Sequence, residues 1–232
     1  SGIFGGLNNA GQACISVEEV FVDKKLYHLF CDNIADKVRG MSAGSNASDH
    51  IGSIVTKENY KKIKDHLSEI PGDKIISGKI SSKGMFIAPT IILDADEGTK
   101  VVNEETFGPI ISIRSFEDDN DLINKIHHTG YGLSASIFGR NKKRINKIIS
   151  RIKTGNISIN DVFSHYGITS LPFGGEGNSG IGRLHGKEGL RSFCRVKSIV
   201  ESRTTFLDEP WWYNRRKSIG KILNKVIKFY KW

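Results

Sequence analysis

Residues 133–159, LSASIFGRNKKRINKIISRIKTGNISI, carry the reading of the fold. Leu133 to Phe138 has the length and apolar character of a buried strand. Asn141 to Lys153 then spaces its isoleucines helically among Lys and Arg, and Gly155 stops the pattern before Ile157-Ser158-Ile159 returns to strand character. The same alternation extends outward on the N-terminal side. Val20-Phe21-Val22 is β-like, and from Lys24 to Arg39 the residues Leu26, Phe30, Ile34 and Val38 recur every fourth position, predicting an amphipathic helix. Thr56 is placed to cap a second helix with Tyr60, Ile63, Leu67 and Ile70 on its apolar face, ended by Pro71-Gly72. Strand-like runs follow at Lys74 to Ile76, Met85 to Leu93 and Ile110 to Ile113, then a short helix from Asp119 to His128. Strands alternating with helices predict an α/β fold with a mostly parallel sheet.

The chain has 232 residues, 38% of them hydrophobic and 25% charged, with a formal net charge of +9. These values fit an ordinary globular domain and exclude pervasive disorder or a collagen-like repeat. No window holds the ~18 uninterrupted apolar residues of a membrane span, and SGIFGGLNNAG lacks the basic start and apolar core of a signal peptide. The expectation is a soluble, cytoplasmic protein. Its first residue is Ser1 rather than Met, inside an organised stretch, which suggests a fragment or a processed product.

Three cysteines, Cys14, Cys31 and Cys194, form no C-x-x-C pair, which argues against a disulfide scaffold or a structural zinc site. Cys31 lies beside the apolar stripe of its helix and reads as a small buried hydrophobe. Cys14 ends the polar run Asn8-Asn9-Ala10-Gly11-Gln12-Ala13. Small and polar residues before a thiol allow close backbone approach to a ligand, and the N–H of the cysteine can serve a developing oxyanion. A structural cysteine fits the composition equally well.

In Asn103-Glu104-Glu105-Thr106-Phe107-Gly108-Pro109 a carboxylate and a ring lie two apart before a Gly-Pro stop. If that stretch is extended, Glu105 and Phe107 share a face, where the carboxylate can accept from both hydroxyls of a ribose and the ring can hold a flat heterocycle. A solvated Glu and a core Phe at a turn is the alternative. Residues 171–183, LPFGGEGNSGIGR, put five glycines into nine positions and contain G-x-G-x-x-G at Gly175 to Gly180. No typical strand precedes this match and no helix with the expected acidic partner follows, so the dinucleotide fingerprint is rejected in favour of a tight loop holding Phe173.

Taken together and in order, these three segments resemble the catalytic half of the aldehyde dehydrogenase superfamily. Its members share a G-Q-x-C nucleophile segment, here Gly11 to Cys14, an E-x-F-G-P cofactor segment, here Glu105 to Pro109, and the loop Pro172 to Arg183. Ala88-Pro89-Thr90, Tyr131 to Ser136 and Gly155 to Asp161 are similar too, so the resemblance spans nearly all of residues 1–205. It implies that Cys14 attacks an aldehyde, that Glu105 and Phe107 hold the nicotinamide side of NAD or NADP, and that Phe173 lines the aldehyde tunnel. Gln12 is expected to shape the nucleophile loop. It also implies that the dinucleotide-binding fold, a general-base glutamate and an oxyanion asparagine precede the cysteine, yet only thirteen residues do so here. Neither Glu18 nor Glu19 matches the base's motif, and Glu19 stands where many members carry Arg. Passages around Cys14, Asp161 and Trp211 are similar to the aliphatic, fatty or succinate-semialdehyde branches.

The expected organisation is a catalytic domain over 1–192, an oligomerisation strand over 193–206 and a basic amphipathic tail over 207–232. The tail carries seven Lys or Arg against two acids, a surplus of five positive charges, with Trp211, Trp212 and Trp232 at its ends. That pattern suits an anionic membrane surface or packing on protein, and no motif accompanies it that would favour nucleic acid. The implied activity is NAD(P)-dependent oxidation of an aliphatic aldehyde, with no metal, by a homo-oligomer or after completion by a cofactor domain. The alternatives are a catalytically silent oligomerisation or membrane-docking module and one half of a split enzyme.

Overall fold

The computed structural model describes residues 1–77, 79–81, 83–201 and 219–229. They fall into two compact units, Ser1–Cys194 and Arg195–Trp232. In the first unit the helices are α1 (Gly2–Leu7), α2 (Tyr27–Arg39), α3 (Lys57–Ser68), α4 (Lys100–Asn103), α5 (Asp119–His127), α6 (Lys142–Ile149), α7 (Ser164–Gly167) and α8 (Gly186–Ser192). The strands are β1 (Glu19–Asp23), β2 (Ile75–Ser77), β3 (Thr90–Leu93), β4 (Ile110–Phe116), β5 (Tyr131–Gly132), β6 (Ser134–Ile137), β7 (Asn156–Ile159) and β8 (Glu176–Gly177).

The principal sheet has the order β1-β4-β3-β2, parallel except for the antiparallel edge strand β2. Strand β4 lies at its centre, and Ile110, Ile111 and Ile113 are buried with no more than 1% of their surface exposed. A parallel strand covered on both faces needs such an apolar run. Ile34 and Val38 of α2, Ile63 and Leu67 of α3, and Ile91 and Ile92 of β3 complete the core. The opening stretch forms the expected unit, with β6 parallel to β7 through α6. Asn141 caps α6 by accepting from the Arg144 N–H at 3.0 Å. A second, smaller core gathers Ile148 and Ile152 against Phe116, Leu122 and Ile123.

Two boundaries and one burial differ from the sequence reading. The helix expected from Lys24 is α2, which begins at Tyr27 and buries Tyr27, Cys31, Ile34, Ala35 and Val38 while Leu26 is exposed. Strict fourth-residue spacing advances about 40° per step around a helix, so Leu26 and Val38 cannot share one narrow face. The strand expected over Met85 to Leu93 narrows to β3, because Pro89 has no N–H for a ladder. Strand β6 is half-buried rather than buried. The cap at Thr56 is present, its hydroxyl accepting from the Asn59 N–H at 3.1 Å.

In the second unit, residues 195–201 are assigned no strand, and Val196, Ile199 and Val200 are exposed. The rest of the expected oligomerisation strand, 202–206, lies outside the described residues, as do the tryptophans of the tail. Helix α9 (Ile219–Phe229) covers part of that tail. Among the described residues no helix is long and apolar enough to cross a membrane.

Candidate active site

Cys14 sits just before β1, at the end of an unusual turn. Asn9, Ala10 and Gly11 all have positive φ, at 53°, 56° and 71°. Left-handed backbone costs about 1–2 kcal/mol for each residue other than glycine, so Asn9 and Ala10 must be held there. Gln12 does much of this. Its Nε2 donates to the carbonyls of Asn9 and Ser53, both at 3.2 Å, and its Oε1 accepts from the Val55 N–H at 2.9 Å. Asn9 Nδ2 closes the turn onto the Gln12 carbonyl at 3.0 Å. Ser16 Oγ lies within hydrogen-bond reach of the carbonyls of Gly5 and Gly6, tying the far side of the loop to α1. The Cys14 side chain is exposed at the end of this braced turn. Among the described residues none accepts a hydrogen bond from the Cys14 N–H.

The turn rests directly on the Glu105–Pro109 segment. A Cβ on Gly11 would lie 1.9 Å from the Gly108 carbonyl oxygen, so only glycine permits the approach. Here the structure departs from a premise of the sequence reading, because Glu104 to Phe107 is not a strand and Phe107 is left-handed at φ 54°. Thr106 is buried, while Glu105 is exposed and Phe107 half-buried.

Two elements hold this segment. From α3, Asn59 Nδ2 donates to the Phe107 carbonyl at 2.7 Å and Lys62 Nζ to the Glu105 carbonyl at 3.0 Å. His66 Nδ1 meets Thr106 Oγ1 at 3.1 Å, and its Nε2 lies 3.5 Å from Glu104. Burial lowers the His66 pKa, which Glu104 partly opposes. From the thiol side, Glu18 Oε2 accepts from the Thr106 N–H at 2.8 Å and Oε1 from the Phe107 N–H at 2.7 Å. Burial raises the Glu18 pKa against the pull of these two hydrogen bonds. Sequence reasoning did not find these holders. His66 alone left a trace, as a polar residue beside the apolar Ile63–Leu67 stripe of α3.

The charge at Glu19 also has a local answer. Phe21 and Arg114 are register partners on β1 and β4, so Glu19, two residues before Phe21, reaches Arg114 on the same face at 3.0 Å. Arg114 also approaches Glu97 at 3.4 Å and lies over the Phe21 ring. Burial pushes the Glu19 carboxyl up to about 7, opposed by Arg114.

Phe173 is buried and exchanges both backbone hydrogen bonds with Leu184. Its ring packs with Tyr166 at 5.1 Å, His185 at 6.0 Å and His165 at 6.1 Å between centroids. Just before α7, Phe163 meets Phe4 of α1 edge-to-face at 5.6 Å. A Cβ on Gly5 would meet Val162 at 2.6 Å, so α1 is pressed onto that turn. The Cys14 turn and the Glu105–Phe107 segment therefore pack together, whereas Phe173 packs in a separate aromatic cluster. Among the described residues no group of His, Cys, Asp and Glu could hold a metal ion.

The exposed Cys14 thiol thus ends a braced turn that packs against the segment carrying Glu105 and Phe107. Comparison with known proteins gives the family. The aldehyde dehydrogenase family profile matches residues 1–199, and the chain belongs to that family. A Mycobacterium ulcerans protein bearing a succinate-semialdehyde dehydrogenase [NADP(+)] name is 33% identical over 95% of this chain and 45% of its own length. A Methylomonas 4,4'-diapolycopene aldehyde oxidase is 30% identical over 91% of this chain and 40% of its own. Betaine aldehyde dehydrogenase from Staphylococcus aureus in complex with NAD+ superposes with a TM-score of 0.81 at 27% identity, covering 91% of this chain and 43% of that one. The chain spans a little under half the length of the curated relatives it matches.

Proposed function

We propose that this chain supplies the thiol and the nicotinamide-side contacts for NAD(P)-dependent oxidation of an aliphatic aldehyde to a carboxylate. The observation that carries the reading is the seating of the Cys14 turn on Gly108, which puts the nucleophile and the Glu105–Phe107 segment in one rigid piece. Glu105 is exposed and free to accept from two ribose hydroxyls, and the half-buried Phe107 presents a ring beside it. Those residues suit the nicotinamide half of a dinucleotide.

The Cys14 thiolate attacks the aldehyde carbon, forming a C–S bond, and the carbonyl electron pair moves onto oxygen, where the unengaged Cys14 N–H donates to it. Glu105 and Phe107 would hold the nicotinamide side of NAD(P)+, which would supply the hydride acceptor, so that oxidation of the aldehyde carbon to the thioester is balanced by reduction of the nicotinamide. Water then attacks the thioester and the C–S bond breaks, releasing carboxylate and two protons overall and restoring the thiolate. The base for that water, the second oxyanion donor and the adenosine contacts are assigned to a cofactor domain beyond these residues. The greater length of the relatives supports this assignment. The edge-to-face pair Phe4–Phe163 beside the thiol turn supports an apolar substrate over an acidic one.

Alkylation of Cys14 in the full chain tests the reading without cofactor. Hexanal should slow iodoacetamide labelling of Cys14 by forming the thiohemiacetal, and succinate semialdehyde should do so less. Labelling insensitive to every aldehyde would overturn the reading. The exposed Val196, Ile199 and Val200 and the lysines of α9 support a second role for residues 193–232, in subunit contact or docking on an anionic membrane. Co-sedimentation with phosphatidylserine vesicles, lost on deleting 207–232, would support docking; sedimentation unchanged by the deletion would refute it.

A further inference from the structure

Glu18 has an arrangement that neither aldehyde chemistry nor the local fold of β1 requires. It lies four residues after Cys14, and its two carboxylate oxygens accept from two successive backbone N–H groups, those of Thr106 and Phe107, at 2.8 and 2.7 Å. Successive N–H groups of a regular strand face opposite ways, so the 104–107 segment leaves strand geometry to present both to one carboxylate. Each contact is charge-assisted, and the pair is bidentate, which fixes orientation as well as distance. Both oxygens are engaged, so Glu18 is not placed to take a proton from the thiol or from water. The polar ties from α3 reach the same segment through its carbonyls and the Thr106 hydroxyl. Glu18 therefore holds the donor side of the segment, and it does so from the residue just before β1, four positions after the nucleophile.

We propose that Glu18 is a positioning residue that sets the nicotinamide-side segment Glu105–Phe107 relative to Cys14. The inference rests on reading that segment as the cofactor contact. Thr106 points inward and its neighbours outward, so a rotation of the Thr106 and Phe107 peptides swings both the Glu105 carboxylate and the Phe107 ring. A shift of about 1 Å at a reacting pair can cost on the order of a hundredfold in rate, so a tie between the two halves of the site bears directly on turnover.

The test compares the full chain with E18Q and E18D by hydrogen exchange, thiol alkylation and kinetics. Gln is isosteric but turns an NH2 toward one of the two N–H groups, so E18Q should speed exchange of the Thr106 and Phe107 amides about tenfold or more. Amides of β4 should stay unchanged and the rate of Cys14 alkylation should remain within about twofold. E18D keeps the charge on a shorter stem, so its exchange should fall between the two. In the enzyme assembled with a cofactor domain, KM for NAD(P)+ should rise about tenfold in E18Q while KM for aldehyde holds within about twofold. Unchanged exchange at 106 and 107, or an equal rise in both KM values, would overturn the proposal. If E18Q does not fold, E18D decides it by the same exchange criterion. Local exchange loss with no aldehyde protection of Cys14 in the wild type would instead defeat the functional reading and leave the tie intact.

Discussion

Cys14 and Cys31 are the same side chain in opposite surroundings. Cys14 follows a turn of three left-handed residues and is exposed, and among the described residues none accepts from its N–H. Cys31 lies within α2, 6% exposed, against the core and beside Tyr27. Burial pushes the Cys31 thiol up, with Asp94 adding to the shift and the Tyr27 hydroxyl opposing it. A thiol becomes a nucleophile by access and field rather than by residue type. The surrounding backbone makes the difference, since a helix buries a side chain by default and a braced irregular turn is needed to hold one out.

Replacing each cysteine in turn is the sharpest way to break that comparison. C14S should lower aldehyde-dependent NAD(P)H formation by about 10³-fold or more while leaving stability nearly unchanged, because serine is a far weaker nucleophile at neutral pH. C31S should do the reverse, costing about 1–3 kcal/mol of stability by placing a hydroxyl in the core, with turnover per folded molecule retained. Turnover by C14S close to that of the wild type would end the assignment.

Gly11→Ala is expected to have the next largest effect. Its Cβ would strike the Gly108 carbonyl, and φ at this position is +71°, so both the turn and the segment beneath it must move. A loss of about 2–4 kcal/mol in chemical denaturation is expected, together with altered Cys14 alkylation. The third prediction is kinetic. In the native chain iodoacetamide should label Cys14 at least about 100-fold faster than Cys31, and the ratio should collapse on unfolding. Equal native rates would mean that α2 opens readily, which its buried face argues against.

The smallest effect concerns Glu19. Its folded pKa of about 7 lies above the ordinary value of 4.5, so the unfolded chain loses this proton first as pH rises. Its contribution therefore decreases stability as pH climbs from about 4.5 to about 7. E19Q should flatten that part of the stability profile, measured by denaturation midpoints across the window. A steeper profile in E19Q would show that Arg114 dominates over burial.

Much of the framework is legible in the linear chain. The βαβ unit over 133–159 could be read because a 3.6-residue period between two short apolar runs is a local property. The cap at Thr56 was equally accessible, since its side chain binds an amide only three residues onward. The cysteine, the carboxylate and the ring could be named because their order along the chain resembles a family pattern. What escaped were ties spanning long stretches of sequence. Glu18 looked like one of two adjacent glutamates without a motif, and no spacing rule connects it to Thr106 and Phe107, 88 and 89 residues away. Glu19 looked like a charge reversal until the register of β1 against β4 brought it to Arg114.

The sequence by itself determined the alternation of strands and helices, the buried Cys31 and the segments that mark the family, because each depends on neighbours a few residues apart. Only the tertiary structure decided that the Cys14 turn sits on Gly108, that Glu18 clamps the Glu105–Phe107 segment, and that Phe173 packs among Tyr166, His165 and His185. Those relations depend on which distant backbones pack together, and packing is set by the whole core at once rather than by any stretch of the chain.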